Sequence, residues 1–582
     1  MAKPKSQKRE ANVSNASPPL TQENFEKELK ELAKKAKEET FFNHAVDWAG
    51  TTVRAVVILA LAAASSSVSQ LTLSPVYGAI PASIWHDKLV NAACFLGWSG
   101  SFWLRRNVRW RLIDLLPLIA FYIPTVQHFL FNYSNTFGAT YGPLITELLT
   151  VAPLLLLSAS AVGLVLEGFG ITGKWHSVPG VASFVFLKIT SAWSANVIQS
   201  TSYKSVLLSR VSWQVQLAAS YALLAPSKLL IYAVPALLHT AVFNAHAQTP
   251  WATQALNSSL QAEGYRLIAR QDSNTGYISV LESVSNQFRV LRCDHSLLGG
   301  VWTMHQSHNP VVGEPVYAIF TMLEAVRLIE APVSVPDSEA QALVIGAGIG
   351  TSPGALMAHG INTTIVEIDP VVLEYAVKYF DLAPNHHAVI DDAVHYAAQV
   401  ANDTTQRYDY IIHDVFTGGA EPIALFTDEF LRNLHRSLEP DGVIAINYAS
   451  DLLQPSTHLI IRTILAIFPS CRIYRETATP TAAELLAAGQ DFTNMVLFCR
   501  ARSEAPITFR EPVERDFLRS GARKAYLVPK HEILRGEFDL EDVGDVLRAN
   551  DTAKLEETQR RSAVGHWNVM RAVVPGKIWE LW

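Results

Sequence analysis

The sequence predicts an all-α, multi-pass membrane domain, then a small β-domain, then a doubly wound α/β domain. Three observations carry this expectation. The chain is apolar for its size, 49% hydrophobic and 17% charged with a mean hydropathy of +0.16, which is too apolar for an ordinary soluble protein. The apolar stretches are gathered between residues 52 and 246, and beyond about Gln248 the pattern becomes soluble in character. Between residues 342 and 500, strand and helix patterns alternate, as they do in a parallel sheet covered on both faces.

The 582 residues divide into five expected regions. These are a helical and disordered N-terminus (1–50), the membrane domain (51–247), the β-domain with a helix (248–335), the nucleoside-binding domain (336–502) and a C-terminal extension (503–582). A net charge of −6 leaves no basic field for nucleic acid. Cys94, Cys293, Cys471 and Cys499 are far apart with no CxxC pair, so neither a zinc site nor a disulfide framework is expected.

Residues 1–20 are polar and expected to be disordered. The stretch Met1–Ser17 lacks the apolar core of a cleaved secretory signal. Thr21 is placed to cap a short helix running to Glu39, with Phe25, Leu29, Leu32 and Ala36 on one face and Glu26–Lys30 and Glu31–Lys35 as supporting pairs. Apolar segments follow near 52–73, 88–104, 112–131, 142–166, 178–195 and 212–246. A span needs roughly 20 apolar residues, which gives about six spans, or seven if the last segment, broken by Pro226, Lys228 and Pro235, crosses twice. Arg105, Arg106, Arg109 and Arg111 make the most basic short loop, which belongs in the cytosol. The loop after the next span carries Asn132-Tyr-Ser134, an N-glycosylation acceptor, and should face outward. Six spans return the C-terminal half to the cytosol, the side preferred because the inferred cofactor is cytosolic. Glu147, Glu167, Lys188 and His128 are the ionisable residues of the spans, Glu147 the deepest.

Residues 264–302 alternate like strands and form the β-domain, 311–330 read as a helix, and 331–340 as a Pro-rich loop. Strands are expected at 342–346, 364–367, 387–390, 409–413, 442–447 and 494–499. Ligands of such sheets lie at the carboxyl ends of the strands. The first strand runs into Gly346, Gly348 and Gly350, where backbone without Cβ can approach a ligand. The second ends in Glu367 and Asp369, an acid placed to accept from ribose hydroxyls, with Glu367 the nearer. The third is followed by Asp391 and Asp392, one to cap the next helix and the other, preferentially Asp392, to accept from an adenine amino group. The fourth ends in Asp414, which faces the reacting end of the cofactor as a general base or amine-orienting group. His413 points to the opposite face and packs, and Phe416 stacks near the base or closes the core.

Residues 264–500 resemble the spermidine/spermine synthase family, whose Rossmann-type domain is shared with class I methyltransferases. The matching motifs are Val344-Ile-Gly-Ala-Gly-Ile-Gly350, Val366-Glu-Ile-Asp369, Asp391-Asp-Ala393, Tyr408-Asp-Tyr-Ile-Ile-His-Asp414 and Leu425-Phe-Thr-Asp-Glu-Phe430. Ser562-Ala-Val-Gly-His-Trp567 resembles an extension of membrane-fused members. The resemblance implies S-adenosylmethionine or its decarboxylated form as cofactor, and no metal. The family's amine-binding residues are replaced. Its Asp within the glycine turn is Ile349 here, its Tyr-Gln pair is Thr275-Gly276, Asp-Gly-x-x-Gln is Asp294-His-Ser-Leu-Leu298, Tyr-His-Glu is Tyr317-Ala-Ile319, and a second Asp after strand four is Thr417. Burying an ammonium without carboxylates costs several kcal/mol per ion, and only Asp414, with Glu314 and Glu421 as helpers, remains. The expected activity is therefore methyl transfer to an unidentified nucleophile. The alternatives are a diverged aminopropyltransferase and a non-catalytic nucleoside-binding membrane scaffold. Ile349 is the position where the two donors would be told apart. The expected partners are the lipid bilayer and a small-molecule acceptor, with a homodimer as a further candidate.

Overall fold

The computed structural model describes residues 22–582 apart from 170–172, 176, 305–309, 318, 333–334, 404, 416–421, 503–505, 539 and 541–544. Residues 1–20, Thr21 as a helix cap, and the site candidates Phe416, Thr417 and Glu421 lie outside the described residues.

One helix of 56 residues, Gln22–Tyr77, opens the described chain. The short N-terminal helix and the first apolar segment are thus continuous, because nothing between them breaks a helix; Pro75 sits in the last turn. Around its C-terminal half pack His86–Ser99, Leu112–Phe131, Ser134–Leu149 with Val151–Glu167, Val178–Ser202 and Arg210–Leu224. Three helical stretches, Val46–Tyr77, Leu112–Phe131 and Val178–Ser202, are long and apolar enough to cross a membrane. The pair Ser134–Leu149 and Val151–Glu167, bent by 43°, makes a fourth if it is one span. Hydrogen bonds between buried polar side chains join these helices. Ser66 Oγ lies 2.9 Å from His86 Nε2, His86 Nδ1 lies 2.7 Å from Glu147 Oε1, and Ser69 donates to the same oxygen at 3.0 Å. The deepest carboxylate of the bundle is thereby partnered.

The bundle has two ends. Trp48 meets Phe169 at one of them, where Trp98 also packs against Gly163 and Gly180. Arg105, Arg106, Arg109 and Arg111 stand exposed there beside Phe102, Trp103 and Trp110. The other end carries the rest of the protein. The helices named above run between these ends, and the shorter helical stretch Lys228–Phe243 lies beside Leu112–Phe131, Tyr122 donating to Tyr232 O at 3.1 Å and Thr125 to Ala236 O at 3.2 Å. The loop at Asn132, expected on the side away from the C-terminal half, is held against it. Lys577 donates to Asn132 Oδ1 at 2.7 Å and Ser134 to Glu580 Oε1 at 3.2 Å.

The β-domain is a four-stranded antiparallel meander, β1 (Tyr265–Asp272), β2 (Tyr277–Ser283), β3 (Phe288–Cys293) and β4 (Ser296–Trp302), in that order. The helix expected over 311–330 is shorter, Ile319–Leu323 followed by a 3-10 turn, Glu324–Leu328.

The large sheet contains β5 (Gln341–Ile345), β6 (Asn362–Glu367), β7 (His387–Ile390), β8 (Tyr408–His413), β9 (Leu438–Asp451), β10 (Cys471–Arg475), β11 (Phe492–Arg500) and β12 (His531–Ile533), ordered β12-β10-β11-β9-β8-β5-β6-β7. β5 to β9 are parallel. β11 runs antiparallel to β9, so the sheet is not parallel throughout; β10 pairs antiparallel with both β11 and β12. That pairing sets Cys471 opposite Cys499, where they form a disulfide across 28 residues of sequence. The expectation of no disulfide is corrected: the partner strand β10 lacked a signal of its own, and only the hairpin brings the two cysteines together.

The C-terminal extension wedges between bundle and β-domain as helices Glu556–Val573 and Gly576–Leu581. Trp567 donates to Val76 O at 3.0 Å. The Arg292 guanidinium lies over the rings of Tyr277 and Trp579, 5.4 and 4.7 Å from their centres, and donates to Pro75 O at 2.6 Å.

Candidate functional site

Five parallel strands end at one edge of the large sheet, and the acidic side chains singled out above are collected there. β5 passes into the glycine turn, and Gly350 begins the helix Thr351–Ala358 in the left-handed region, φ 87°. The turn is tight because protein surrounds it. A Cβ on Gly346, whose φ is 89°, would lie 2.2 Å from the Asp414 carbonyl oxygen. Gly346 therefore brings the ends of β5 and β8 together as well as leaving space for a ligand. The first turn of the helix after Gly350 has no side-chain cap, and since Pro353 has no N–H and Gly354 N bonds Gly350 O, the N–H groups of Thr351 and Ser352 are the two left for an anionic group.

Ile349 does not face the strand ends. Its side chain is buried against Gly299 of β4, within an apolar cluster containing Ile278, Val280, Leu291 and Tyr375. A carboxylate there would lie among hydrocarbon groups, so the change from Asp is accommodated by the β-domain's packing.

Glu367, at the end of β6, is buried and accepts from Ala347 N and Asp369 N, both at 2.9 Å. Burial pushes its carboxyl up to about 7, against the pull of these backbone donors. No cation neutralises it among the described residues, and two further donors such as ribose hydroxyls suit it. Asp369 is fully buried and does other work. Its Oδ1 accepts from Val371 N at 2.8 Å, capping the helix Pro370–Tyr379, and from Ser273 Oγ at 2.6 Å. Its Oδ2 accepts from Thr275 Oγ1 at 2.5 Å. Asp369 thus leaves the cofactor set and clamps the β1–β2 turn to β6.

At the end of β7 the two aspartates exchange the expected roles. Asp392 is the cap, its Oδ1 accepting from Val394 N at 2.8 Å. Asp391 is the carboxylate left for a base edge, and it meets His395 Nδ1 at 2.6 Å.

Asp414 follows β8. Burial pushes its carboxyl up to about 6, opposed by a hydrogen bond from Asn447 Nδ2 to Oδ1 at 2.8 Å. Asn447 was missed in the sequence. Its signal is one amide closing the apolar run Val443-Ile-Ala-Ile-Asn447 within β9, where that strand passes the end of β8. Its own Oδ1 is buried without a partner among the described residues. The pair therefore offers hydrogen-bond acceptors next to the glycine turn. His413 turns to the other face as alternation requires, its ring 5.0 Å from Phe426 and 5.8 Å from Phe430. Burial pushes it down to about 4, so it is neutral.

The other candidates for an amine-binding role are engaged elsewhere. Glu314 accepts from Ser520 Oγ at 2.8 Å and Gly521 N at 2.6 Å. Asp294 accepts from Tyr277 N and is paired with Arg210, both at 2.8–2.9 Å. No group of three or more His, Cys, Asp or Glu is arranged to hold a metal among the described residues.

Comparison with known proteins places the chain among S-adenosylmethionine-dependent transferases. A family model of the spermine/spermidine synthase domain matches residues 324–490. The N-terminal histidine N-methyltransferase of Emericella nidulans is 46% identical over 548 residues, covering 90% of this chain and 96% of that protein. The polyamine aminopropyltransferase of Vibrio vulnificus is 32% identical over 151 residues, 25% of this chain and 50% of that one. A probable spermidine synthase from Corynebacterium glutamicum superposes with a TM-score of 0.36 at 18% identity, covering 48% of this chain and 95% of that one.

Proposed function

This chain belongs to the family of the N-terminal histidine N-methyltransferase of Emericella nidulans, and from that premise we propose that it methylates a nitrogen of an N-terminal histidine while anchored in a membrane by its helical bundle. The chain is a transferase that moves a methyl group from S-adenosylmethionine, which carries that methyl on an electrophilic sulfonium. The residues at the strand ends suit this donor. Glu367 can take its ribose hydroxyls, Asp391 a base edge, and the uncapped N-terminus of Thr351–Ala358 its carboxylate.

The observation that carries the acceptor reading is the pair Asp414–Asn447. A histidine ring is largely neutral near pH 7 and is itself a nucleophile, with an unperturbed pKa of about 6.5. Attack by one ring nitrogen leaves positive charge on the ring and a proton on the other nitrogen. Asp414, ionised above about pH 6, accepts from that N–H, stabilises the charge and takes the proton. Asn447 holds the carboxylate in place and presents its free Oδ1 to the terminal ammonium of the substrate. The loss of the polyamine-gripping acids fits a substrate with one cationic centre beside a neutral ring.

The test uses the full-length protein in detergent with S-adenosylmethionine and two synthetic peptides, identical except that the N-terminal histidine is free in one and preceded by alanine in the other. Mass spectrometry should find one added methyl on the histidine of the first peptide and none on the second. Equal methylation of both peptides, or of neither, would overturn the proposal.

A further inference from the structure

We propose that Glu476 is the counter-charge for the substrate's terminal ammonium, held towards it by Asn494. The acceptor site then runs from Asp414 across β9 and β11 to the end of β10. This rests on the reading of the acceptor as an N-terminal histidine.

The need comes from charge. An N-terminal histidine brings an ammonium beside its ring, and the ring gains positive charge of its own as the methyl group arrives. Asp414 answers the ring. The Asn447 amide oxygen accepts from the ammonium but carries no charge, and an ammonium taken out of water without a carboxylate is costly. A second carboxylate is therefore called for on the same face of the sheet. The described acids near the strand ends are otherwise committed. Glu367 accepts from Ala347 N and Asp369 N, and Asp369 caps a helix and holds the β1–β2 turn. Asp451 accepts from Leu453 N and Asp491 N, and Asp491 is paired with Arg475. Glu476 is partly buried, and among the described residues its carboxylate meets Asn494 and no cation.

The position follows from register. Alternate residues of a strand share a face, and so do residues directly opposite each other on paired strands. Asn447 and Ala449 lie two apart on β9, and Ala449 is opposite Asn494 of β11. Glu476, directly after β10, donates its N–H to Asn494 O at 3.0 Å. With Asn447 bonded to Asp414, the four polar side chains stand on one face, in the strand order β8-β9-β11-β10. Neighbouring strands lie about 4.8 Å apart, so Glu476 and Asn447 bracket a gap of roughly 10 Å at backbone level, which their side chains narrow from either side.

The orientation is built in. Asn494 Nδ2 donates to Glu476 Oε2 at 3.0 Å. Since Asn494 lies between Glu476 and β9, this bond turns the carboxylate towards Asn447 and leaves Oε1 for a ligand. Arg475 Nη2 meets Asp491 Oδ1 at 2.7 Å, and Asp491 N donates to Asp451 Oδ1 at 2.8 Å. These bonds tie the ends of β10 and β9 to the start of β11. A carboxylate held on such a frame loses little freedom when a ligand binds.

The test uses the full-length protein in detergent with S-adenosylmethionine and two synthetic peptides. One begins with a free histidine. The other begins with an imidazolylpropionyl group, the same residue without its amino group, and is read by its inhibition constant against the first. The native protein should bind the free-histidine peptide more tightly than the des-amino one. Glu476→Gln should raise KM for the free-histidine peptide by ~10- to 100-fold with little change in kcat, and should leave the inhibition constant of the des-amino peptide unchanged. Asn494→Ala should raise the same KM in the native background and add nothing to Glu476→Gln. Equal affinity of the native protein for the two peptides, equal weakening of both by Glu476→Gln, or no effect of that change on the first would overturn the proposal. A further loss when Asn494→Ala is added would overturn the role given to Asn494. A native protein that leaves the free-histidine peptide unmethylated would instead overturn the histidine reading, and this assignment with it.

Discussion

Two carboxylates at the strand ends carry opposite consequences for stability and for function. Asp414 titrates near 6 in the folded chain against 3.8 when unperturbed. Its penalty is therefore absent below pH 4, grows as pH rises through 6 and is constant above. At 1.36 kcal/mol per unit, discounted for partial exposure, it costs ~1–3 kcal/mol at pH 7.5. Asp414→Asn should raise the melting temperature at pH 7.5 and leave the pH 4 value nearly unchanged, while lowering kcat by ~10²-fold or more. A variant that melts lower at pH 7.5 would contradict the burial argument. The same titration predicts that kcat of the native protein falls as pH drops through 6. Glu367, held up to about 7 by burial, is expected to lose its proton when hydroxyl donors bind, because they favour the charged form. Calorimetry with S-adenosylmethionine at pH 6.8 in two buffers of different ionisation enthalpy should report proton release. Glu367→Gln should abolish that release and weaken binding by ~1–3 kcal/mol, the cost of leaving polar groups poorly matched.

Among the elements, the strands that carry the site were legible and those that complete the sheet were not. β5, β6 and β8 announce themselves by short apolar runs ending in Gly or acid, since both faces of a central parallel strand are buried, whereas the edge strand β7 is largely exposed and β9 runs on to Asp451. β10, Cys471-Arg-Ile-Tyr-Arg475, is five residues long with charges at its second and last positions and lacks an apolar run of its own. Its role is fixed only by pairing with β11, a tertiary fact that no local pattern holds. The direction of β11 was hidden for the same reason. At the site, residue types were legible and their partners were not. Which aspartate of Asp391-Asp392 caps a helix depends on one residue of register, and Asp369 is claimed by Ser273 and Thr275, about ninety residues earlier in the chain. The β10–β11 disulfide closes a loop of 28 residues, for which the chain-entropy model gives about 3–4 kcal/mol. Cys499→Ser should lower the denaturant midpoint accordingly with little change in KM. An equal loss for Cys293→Ser, at a cysteine that is free, would show that packing rather than the bond is responsible.

At the scale of the whole molecule, the two halves are joined by buried charge. Arg210 lies at the start of a bundle helix, with Asp294 Oδ1 at 2.9 Å from Nη1 and Asp272 Oδ1 at 3.4 Å from Nε, and all three residues are buried. Removing the arginine strands two carboxylates, which costs ~3–5 kcal/mol. Arg210→Met should therefore lower the melting temperature of the detergent-solubilised full chain, and the triple change with Asp272→Asn and Asp294→Asn should recover much of the loss. No recovery would mean that the site is held by shape alone. Asp272 opens the β1–β2 turn, and that turn is the one Asp369 clamps to β6, the strand that ends in Glu367. A bundle helix, a hairpin tip and the nucleoside cradle are thus links of one lever, with charge or hydrogen bonding at each joint. Any tilt of the helix Arg210–Leu224 would pull at Arg210, pass through the hairpin and arrive at β6. On the membrane-anchored reading proposed above, the bilayer would then act as a hand on the cofactor's grip as well as an anchor.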